Sequence, residues 1–138
     1  SQHRVNDDAR VFESPAPVWL VRTTPGKDTR HPHCHELIIE ADRDGKVCLK
    51  ALMIELAKRE INQVWTECGA SLAGAIIEQQ LCDRMMIYSS GQILGHHGRS
   101  VIDMSEPLEL ASAPRFKVID RRQVGPDQRL VAVPQTQD

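Results

Sequence analysis

Short apolar runs alternate with an amphipathic pattern along the first half of the chain. Residues 18–21 and 37–39 are apolar runs bounded by turn-forming residues, and each run is typical of a buried β-strand. From residue 49 to residue 56, apolar side chains recur at positions i, i+3, i+4 and i+7, and charged side chains occupy the other side. This spacing gathers the apolar side chains on one face and predicts an α-helix. The residues on that face are Leu49, Leu52, Met53 and Leu56.

The same alternation continues in the middle of the chain. Residues 63–66 predict a third strand, residues 71–81 a second helix, and residues 85–88 the strand that follows it. The second helix is expected to bury Leu72, Ala75, Ile76 and Ile77. Strands that alternate with helices imply crossover connections, which join parallel strands and place the helices on the faces of the sheet.

The last part of the chain has a different pattern. Residues 115–124 and 128–133 are rich in β-forming side chains, and Gly125-Pro126-Asp127 between them is a turn sequence. These two runs predict an antiparallel hairpin. The expected fold class is therefore α/β, with a mostly parallel sheet flanked by helices and a C-terminal antiparallel β-hairpin.

Composition limits the partners that this fold could have. The chain has 138 residues, of which 41% are hydrophobic, enough for one domain with its own core. Seventeen Lys and Arg against nineteen Asp and Glu give a net charge of -2, and aromatic residues make up only 4%. Binding to nucleic acid needs positive charge or stacking platforms, so we expect no nucleic-acid partner. No apolar run approaches the roughly 18 residues of a membrane span, so we expect no membrane partner.

The first residues and the cysteines refine this picture. The chain begins Ser1-Gln2-His3, without Met or a signal pattern, and is expected to be a piece of a longer protein. No two of the four cysteines form a Cys-x-x-Cys pair, which argues against zinc-ribbon and thioredoxin-like readings. Free thiols in a reducing cytoplasm are therefore expected. The cysteines are Cys34, Cys48, Cys68 and Cys82.

The segment from residue 66 to residue 75 contains the strongest candidate chemistry. It lies where a predicted strand ends and a predicted helix begins, which is where α/β sheets bind ligands. Gly69 and Ala70 leave the backbone open to close approach, and Ser71 is a suitable helix N-cap. The free N–H groups of a first helical turn suit a phosphate, and Glu67 could accept hydrogen bonds from sugar hydroxyls.

A structural interpretation of the same segment stays open at this point. The segment is not Gly-x-Gly-x-x-Gly, and Gly74 is not followed by Lys and Ser or Thr, so it is not a P-loop. Its small residues would also let a helix pack closely on a sheet, with Glu67 as a solvated acid in a turn. The residues alone do not decide between the two interpretations.

The order of motifs around this segment resembles the C-terminal reductase domain of the bacterial bifunctional riboflavin-biosynthesis deaminase/reductase. That family reads Gly-Lys-x-x-Ile-Asn-Ser-Val, then Glu-Gly/Ala-Gly, then a helix opening Leu-Ala-Gly-Ala, then Leu-Val-Asp-Glu. The matching stretches here are residues 56–62, 67–75 and 81–83, and the similarity extends over residues 1–5, 93–95, 116–118 and 124–127.

The resemblance implies a dihydrofolate-reductase-like fold and a reaction. The family uses NADPH to reduce the ribosyl group of 5-amino-6-(5-phosphoribosylamino)uracil to the ribityl form. It implies Glu67 as a substrate contact, and no residue is assigned a catalytic role because the hydride comes from the cofactor. The cofactor contacts that it implies are Ser1, Gly69, Ala70, Ser71, Leu72, Ala73, Gly74 and Ala75.

The chain also departs from the family pattern. Ser90-Gly91-Gln92 stands where the family commonly has Ala-Pro-Lys. The deaminase signature of His-x-Glu and Pro-Cys-x-x-Cys is missing from the sequence, so zinc is expected only in a deaminase domain outside this chain. We therefore expect residues 1–138 to be the C-terminal part of one reductase domain, without its first strands and nearly inactive alone.

Two function classes follow. The first is the reductase part just described, with a phosphorylated pyrimidine as substrate. The alternative is a non-catalytic binding or dimerisation module that keeps the same fold. A sheet with exposed edges favours pairing with a second copy, so a homodimer is expected in either case.

Several other polar residues have simpler interpretations. His31, His33 and His35 could hold a metal, but they lie within one loop without a second ligand pair at suitable spacing, which favours a solvated loop. The pair His96-His97 is interpreted in the same way. Cys68 could be activated by the helix N-terminus, although a small packing residue is the preferred interpretation. Basic residues in the hairpin, Arg115, Lys117, Arg121 and Arg122, are expected on a solvated face.

Overall fold

The computed structural model describes Asn6 and residues 8–26, 31–106 and 109–135. The chain divides into two units, Ser1–Val64 and Trp65–Asp138. Besides the helices and strands below, the described residues include two short 3₁₀ helices, Arg10–Phe12 and Gly95–His97. None of the helices in the described residues is long and apolar enough to cross a membrane.

The first unit contains a parallel pair of strands. Strand β1 (Val18–Arg22) and strand β2 (Cys34–Ile38) run side by side, with Val18 opposite Cys34 and Arg22 opposite Ile38. Both strands and their parallel direction confirm the prediction, although β2 begins three residues before the predicted run. The apolar side chains buried in this unit are Phe12, Leu37, Ile39 and Leu49.

An ion pair between a buried arginine and a glutamate open to solvent joins the two strands. The side chain of Arg22 is buried, and its Nη1 lies 2.9 Å from Oε1 of Glu36. The same oxygen accepts the N–H of Gly26 at 2.9 Å. A buried charge is costly unless it is paired, and this carboxylate supplies the partner. A Cβ on Gly26 would meet the guanidinium of Arg22, so a side chain here would require that guanidinium to move.

Helix α1 (Leu49–Lys58) forms where the spacing of apolar residues predicts it. Leu49 is buried, and the other residues of the predicted face are partly buried. On the polar side, the carboxylate of Glu55 lies 2.8 Å from Arg59 and 3.5 Å from Lys58. Exposed pairs of this kind stabilise a helix only slightly, so the buried apolar face is the main reason that α1 forms here.

The prediction of a strand at residues 63–66 is wrong. These residues adopt no strand in the structure, and every residue from 62 to 69 is exposed. An apolar run indicates only that a segment is suited to a sheet, whereas a strand exists only when a neighbouring strand satisfies its backbone groups. The boundary between the two units falls between Val64 and Trp65, inside this run.

The second unit combines one helix with an antiparallel sheet. Helix α2 (Ala70–Glu78) precedes strands β3 (Met85–Ser89), β4 (Phe116–Val124) and β5 (Asp127–Pro134). The strand order is β3-β5-β4, and both pairings are antiparallel. The predicted C-terminal hairpin is confirmed, and Gly125 at its turn has a φ of 59°, a conformation that glycine adopts easily.

The direction of β3 corrects the predicted sheet. The chain is α/β and contains both parallel and antiparallel strands, but two of the three pairings among its described strands are antiparallel. A mostly parallel sheet is therefore not what these residues form. The apolar pattern of residues 85–88 correctly indicated a strand, but such a pattern does not specify on which strand, or in which direction, the segment will pair.

Charged side chains link the two strands of the hairpin. Nη2 of Arg129 on β5 lies 2.6 Å from Oδ2 of Asp120 on β4, and Nε of Arg122 lies 3.1 Å from Oδ1 of the same carboxylate. Two hydrogen bonds lower the pKa of Asp120 below its ordinary value. The bond from Arg129 has the larger effect and the bond from Arg122 the next largest. The carboxylate of Asp120 in turn raises the pKa of Arg129.

Candidate functional site

The start of helix α2 is the centre of the candidate site. Gly69 is the N-cap, with φ -74° and ψ 167°, and its carbonyl oxygen accepts the N–H of Ala73 at 3.1 Å. Ser71, the predicted N-cap, lies inside the helix instead, because the helix begins at Ala70. No side chain caps this end of the helix. The first-turn N–H groups therefore have no side-chain cap and are suited to an anionic ligand.

The two glycines of the motif have different surroundings. A Cβ added to Gly69 would meet no atom within 4 Å, so the backbone there is open to close approach. A Cβ added to Gly74 would lie 1.9 Å from the carbonyl oxygen of Asp103. Gly74 is buried and its missing side chain makes room for protein backbone. The structure thus supports close approach by a ligand at Gly69 and close packing at Gly74.

Glu67, the predicted substrate contact, is exposed two residues before Gly69. One carboxylate oxygen, Oε1, accepts a hydrogen bond from Nε1 of Trp65 at 3.2 Å. Trp65 is itself 65% exposed. Sequence reasoning treated Trp65 only as part of a strand and missed this contact. The spacing i, i+2 in an extended segment is the signal that could have found it, because such side chains point to one side.

The remaining motif residues differ in exposure. Ser71 and Leu72 are exposed, whereas Ala70, Ala73 and Ala75 are partly buried. Leu72 was predicted to lie on the buried face of the helix but is 41% exposed. Ile76 and Ile77, predicted on the same face, are partly buried. Ser1, the remaining predicted cofactor contact, lies outside the described residues.

A short segment without helix or strand structure, residues 102–105, contacts α2 along the length of the helix; we call it the strap. The N–H of Asp103 donates to the carbonyl oxygen of Ala70 at 3.1 Å. The N–H and the hydroxyl of Ser105 both donate to Oε1 of Glu78, at 2.6 and 2.8 Å. Sequence reasoning missed these contacts. Ile102 and Met104 alternate with polar residues and are partly buried, and this alternation is the local signal that indicates a packed segment.

The histidines that the sequence offered as candidate ligands have simple surroundings in the structure. His31 stacks on Phe12 with ring centroids 4.5 Å apart, and His33 and His35 are exposed. Among the residues that the structure describes, no three potential metal ligands come together. His96 and His97 lie with ring centroids 3.8 Å apart in the exposed 3₁₀ helix Gly95–His97.

The cysteines and the basic residues of the hairpin differ in exposure. No disulfide joins Cys48, Cys68 or Cys82. Cys68 is exposed, so it does not fill a slot in the core, contrary to the preferred interpretation. Burial raises the pKa of the Cys82 thiol. The cations of the hairpin are exposed as expected, and Arg122 is paired with Asp120.

Comparison with known proteins connects this chain to a family. The model of the RibD C-terminal domain family matches residues 1–130. Riboflavin biosynthesis protein RibD of Haemophilus influenzae is 36% identical over 97% of this chain and 35% of its own length. A 5-amino-6-(5-phosphoribosylamino)uracil reductase of Buchnera aphidicola is 31% identical over 97% of this chain and 64% of its own length. The chain thus spans about a third of the first relative and less than two thirds of the second.

Solved structures agree at the level of the backbone. RibD of Acinetobacter baumannii superimposes with a TM-score of 0.83 at 26% identity, over 97% of this chain and 36% of that chain. A deaminase/reductase from Thermotoga maritima superimposes with a TM-score of 0.73 at 21% identity, over 91% of this chain and 33% of that chain. At that lower identity the likeness concerns the fold alone.

Proposed function

Because this chain belongs to the RibD C-terminal domain family, we propose that it supplies the cofactor-binding part of an NADPH-dependent reductase of riboflavin biosynthesis. The reaction is the reduction of the ribosyl group of 5-amino-6-(5-phosphoribosylamino)uracil to the ribityl form. The name of the Buchnera aphidicola relative supports this substrate. We also propose that the complete domain has the dihydrofolate-reductase-like arrangement and works in the cytoplasm, where free thiols persist.

The open backbone at Gly69, directly before α2, is the observation on which the cofactor site depends. A dinucleotide phosphate needs N–H donors and close approach to the main chain. The uncapped first turn of α2 offers the donors, and the absence of any atom within 4 Å of a Cβ built on Gly69 leaves the approach free. The residues present therefore fit the phosphates of NADPH.

The residues of this chain would act by binding and orienting. The first-turn N–H groups of α2 hold a phosphate, and Gly69 allows the backbone to come close to it. The carboxylate of Glu67 accepts hydrogen bonds from hydroxyl groups of the substrate and so orients the ribosyl group, while the indole N–H of Trp65 holds that carboxylate. NADPH, when bound, supplies the hydride, so the chain needs no nucleophile of its own.

A titration with NADPH, followed by tryptophan fluorescence, tests the site. Gly69→Asp places a negative side chain in the proposed phosphate position, and we expect at least about tenfold weaker binding, since like charges repel and the approach is closed. Gly91→Asp is the matched control, because a Cβ at Gly91 also meets no atom within 4 Å. Equal affinity of all three proteins, or no binding by the unmodified chain, contradicts the proposed cofactor site.

Turnover is a separate measurement. The resemblance assigns a single substrate contact, Glu67, within these 138 residues. We therefore propose that the chain alone reduces the substrate slowly or not at all. Oxidation of NADPH in the presence of the substrate measures this rate, and robust turnover by the isolated chain contradicts the proposal.

One observation also favours self-association, the alternative function. Strand β4 is an outer strand of its sheet, and its apolar side chains are partly open to solvent: Val118 is 43%, Ile119 50% and Val124 45% exposed. An outer strand with free backbone groups is a template for a second strand. We propose that two copies associate through β4, which is compatible with the reductase function.

A further inference from the structure

Helix α2 is short and has no side-chain cap at its start, while its end is closed by backbone bonds from Gln80, at φ 57°, to Ile77 and from Leu81 to Ile76. It has nine residues, and helices shorter than about 12 to 15 residues are marginal in water without tertiary contacts. Its first turn has no side-chain cap, and its last turn contains Glu78 but no basic residue. A negative charge near a helix C-terminus opposes the helix dipole. Glu78 therefore does not stabilise α2 through its position in the helix. Its contribution comes from the contacts that its carboxylate makes outside the helix.

Those contacts are with the strap. Oε1 of Glu78 accepts two hydrogen bonds from Ser105, at 2.6 and 2.8 Å, and both residues are exposed. Two residues earlier, the N–H of Asp103 donates to the carbonyl oxygen of Ala70 in the first turn. Between these points, the carbonyl of Asp103 occupies the space left open by Gly74. The strap therefore connects the last turn of α2 to its first turn.

We propose that Glu78 is a positioning residue, which holds the strap so that the first turn of α2 keeps the geometry that binds the phosphates of NADPH. This inference rests on the proposed function. Glu78 lies in the last turn, away from the site, and acts through Ser105 and the main chain of Asp103. Without the carboxylate, one hydrogen bond at Asp103 and the packing at Gly74 remain, and the first turn opens more often.

Amide hydrogen exchange of this chain tests the mechanical part. Glu78→Ala is expected to raise exchange about threefold to tenfold at the amides of Asp103 and Ala73, which form the strap bond and the first bond of the helix. Glu78→Gln keeps a side-chain oxygen that accepts both bonds and should restore most of the protection. Glu55→Ala removes an acid of α1 that pairs with Arg59 and Lys58, and serves as the matched control with no effect at these amides.

Titration with NADPH tests the functional part. Glu78→Ala is expected to bind NADPH about threefold to tenfold more weakly than the unmodified chain. Glu78→Gln and Glu55→Ala are expected to bind NADPH with nearly the affinity of the unmodified chain. Unchanged exchange at Asp103 and Ala73, or an equal increase across β3, β4 and β5, overturns the inference. Changed exchange with unaltered NADPH affinity also overturns it. If the unmodified chain binds no NADPH, the proposed function fails on its own account, whereas the exchange result still decides whether Glu78 holds the strap.

Discussion

Two glycines five residues apart have different physical roles in this chain. Gly69 borders open space at the start of α2, whereas Gly74 faces the carbonyl of Asp103 at a distance that no side chain tolerates. A sequence motif records both as glycine and assigns both to the cofactor. In the structure, only Gly69 has the open approach that a ligand needs, and Gly74 is required by the packing of the strap.

Gly74→Ala is expected to destabilise the fold by about 1 to 3 kcal/mol. Alanine is favoured over glycine in a helix by about 1 kcal/mol, but its Cβ would lie 1.9 Å from a backbone oxygen, so the clash outweighs the gain. Denaturant unfolding monitored by circular dichroism measures the difference. Gly91→Ala, at an exposed position without a nearby atom, should stay within about 0.5 kcal/mol. A Gly74→Ala variant as stable as the Gly91→Ala control would show that the strap moves away without cost.

At the scale of the elements, a carboxylate connects the strands of the C-terminal hairpin. Asp120 lies beside the irregularity of β4 between Val118 and Asp120, and it receives hydrogen bonds from Arg129 and Arg122. The guanidinium of Arg129 reaches across from β5 at 2.6 Å. This contact holds β4 on β5 where the regular register is interrupted.

The stability of the hairpin should depend on pH through Asp120. Its pKa is lowered in the folded state, first by the hydrogen bond from Arg129. The stabilisation is therefore present above the ordinary value of about 3.9 and is lost as the pH falls through that value towards the lowered one. We expect the melting temperature of the unmodified chain to exceed that of Asp120→Asn near pH 6, and the gap to narrow near about pH 3. A gap that stays constant over this range contradicts the assignment.

At the scale of the whole molecule, each unit has its own small core. Among the described residues, the first unit buries four apolar side chains beside a two-stranded sheet, and the second buries Val131 and Ala132 in the middle strand of a three-stranded sheet. Sheets of this size leave outer strands with free backbone groups. The outer strand β4 is the one to which we assign self-association.

Sedimentation velocity tests that association. We expect the unmodified chain to form a dimer, and Ile119→Lys to form a monomer, because a charged side chain on an outer strand opposes pairing. Ile93→Lys is the matched control, since Ile93 is 95% exposed and lies outside the sheet. A monomeric unmodified chain, or dimers of both variants, contradicts the proposed interface.

Local patterns in the sequence were sufficient to predict several helices and strands and the position of the candidate site. The apolar spacing of residues 49–56 predicted α1, and the turn at Gly125 predicted the hairpin. The motif from Glu67 to Ala75 placed the candidate site at the start of a helix. These features depend on neighbours in the chain, because periodicity, turn residues and helix starts are set within a few positions.

Contacts between distant residues were decided only by the tertiary structure. The segment at residues 63–66 has the composition of a strand but pairs with no described strand. Strand β3 pairs antiparallel to β5, with partners that lie 39 to 47 residues further along the chain. The N-cap of α2 is Gly69 and not the predicted Ser71, and Gly74 packs against Asp103. The sequence by itself determined which segments bury apolar surface and where a helix begins near an acid. Strand direction, strand partners and the distinct roles of two glycines depend on which remote backbone comes close, and only the folded chain brings that backbone into place.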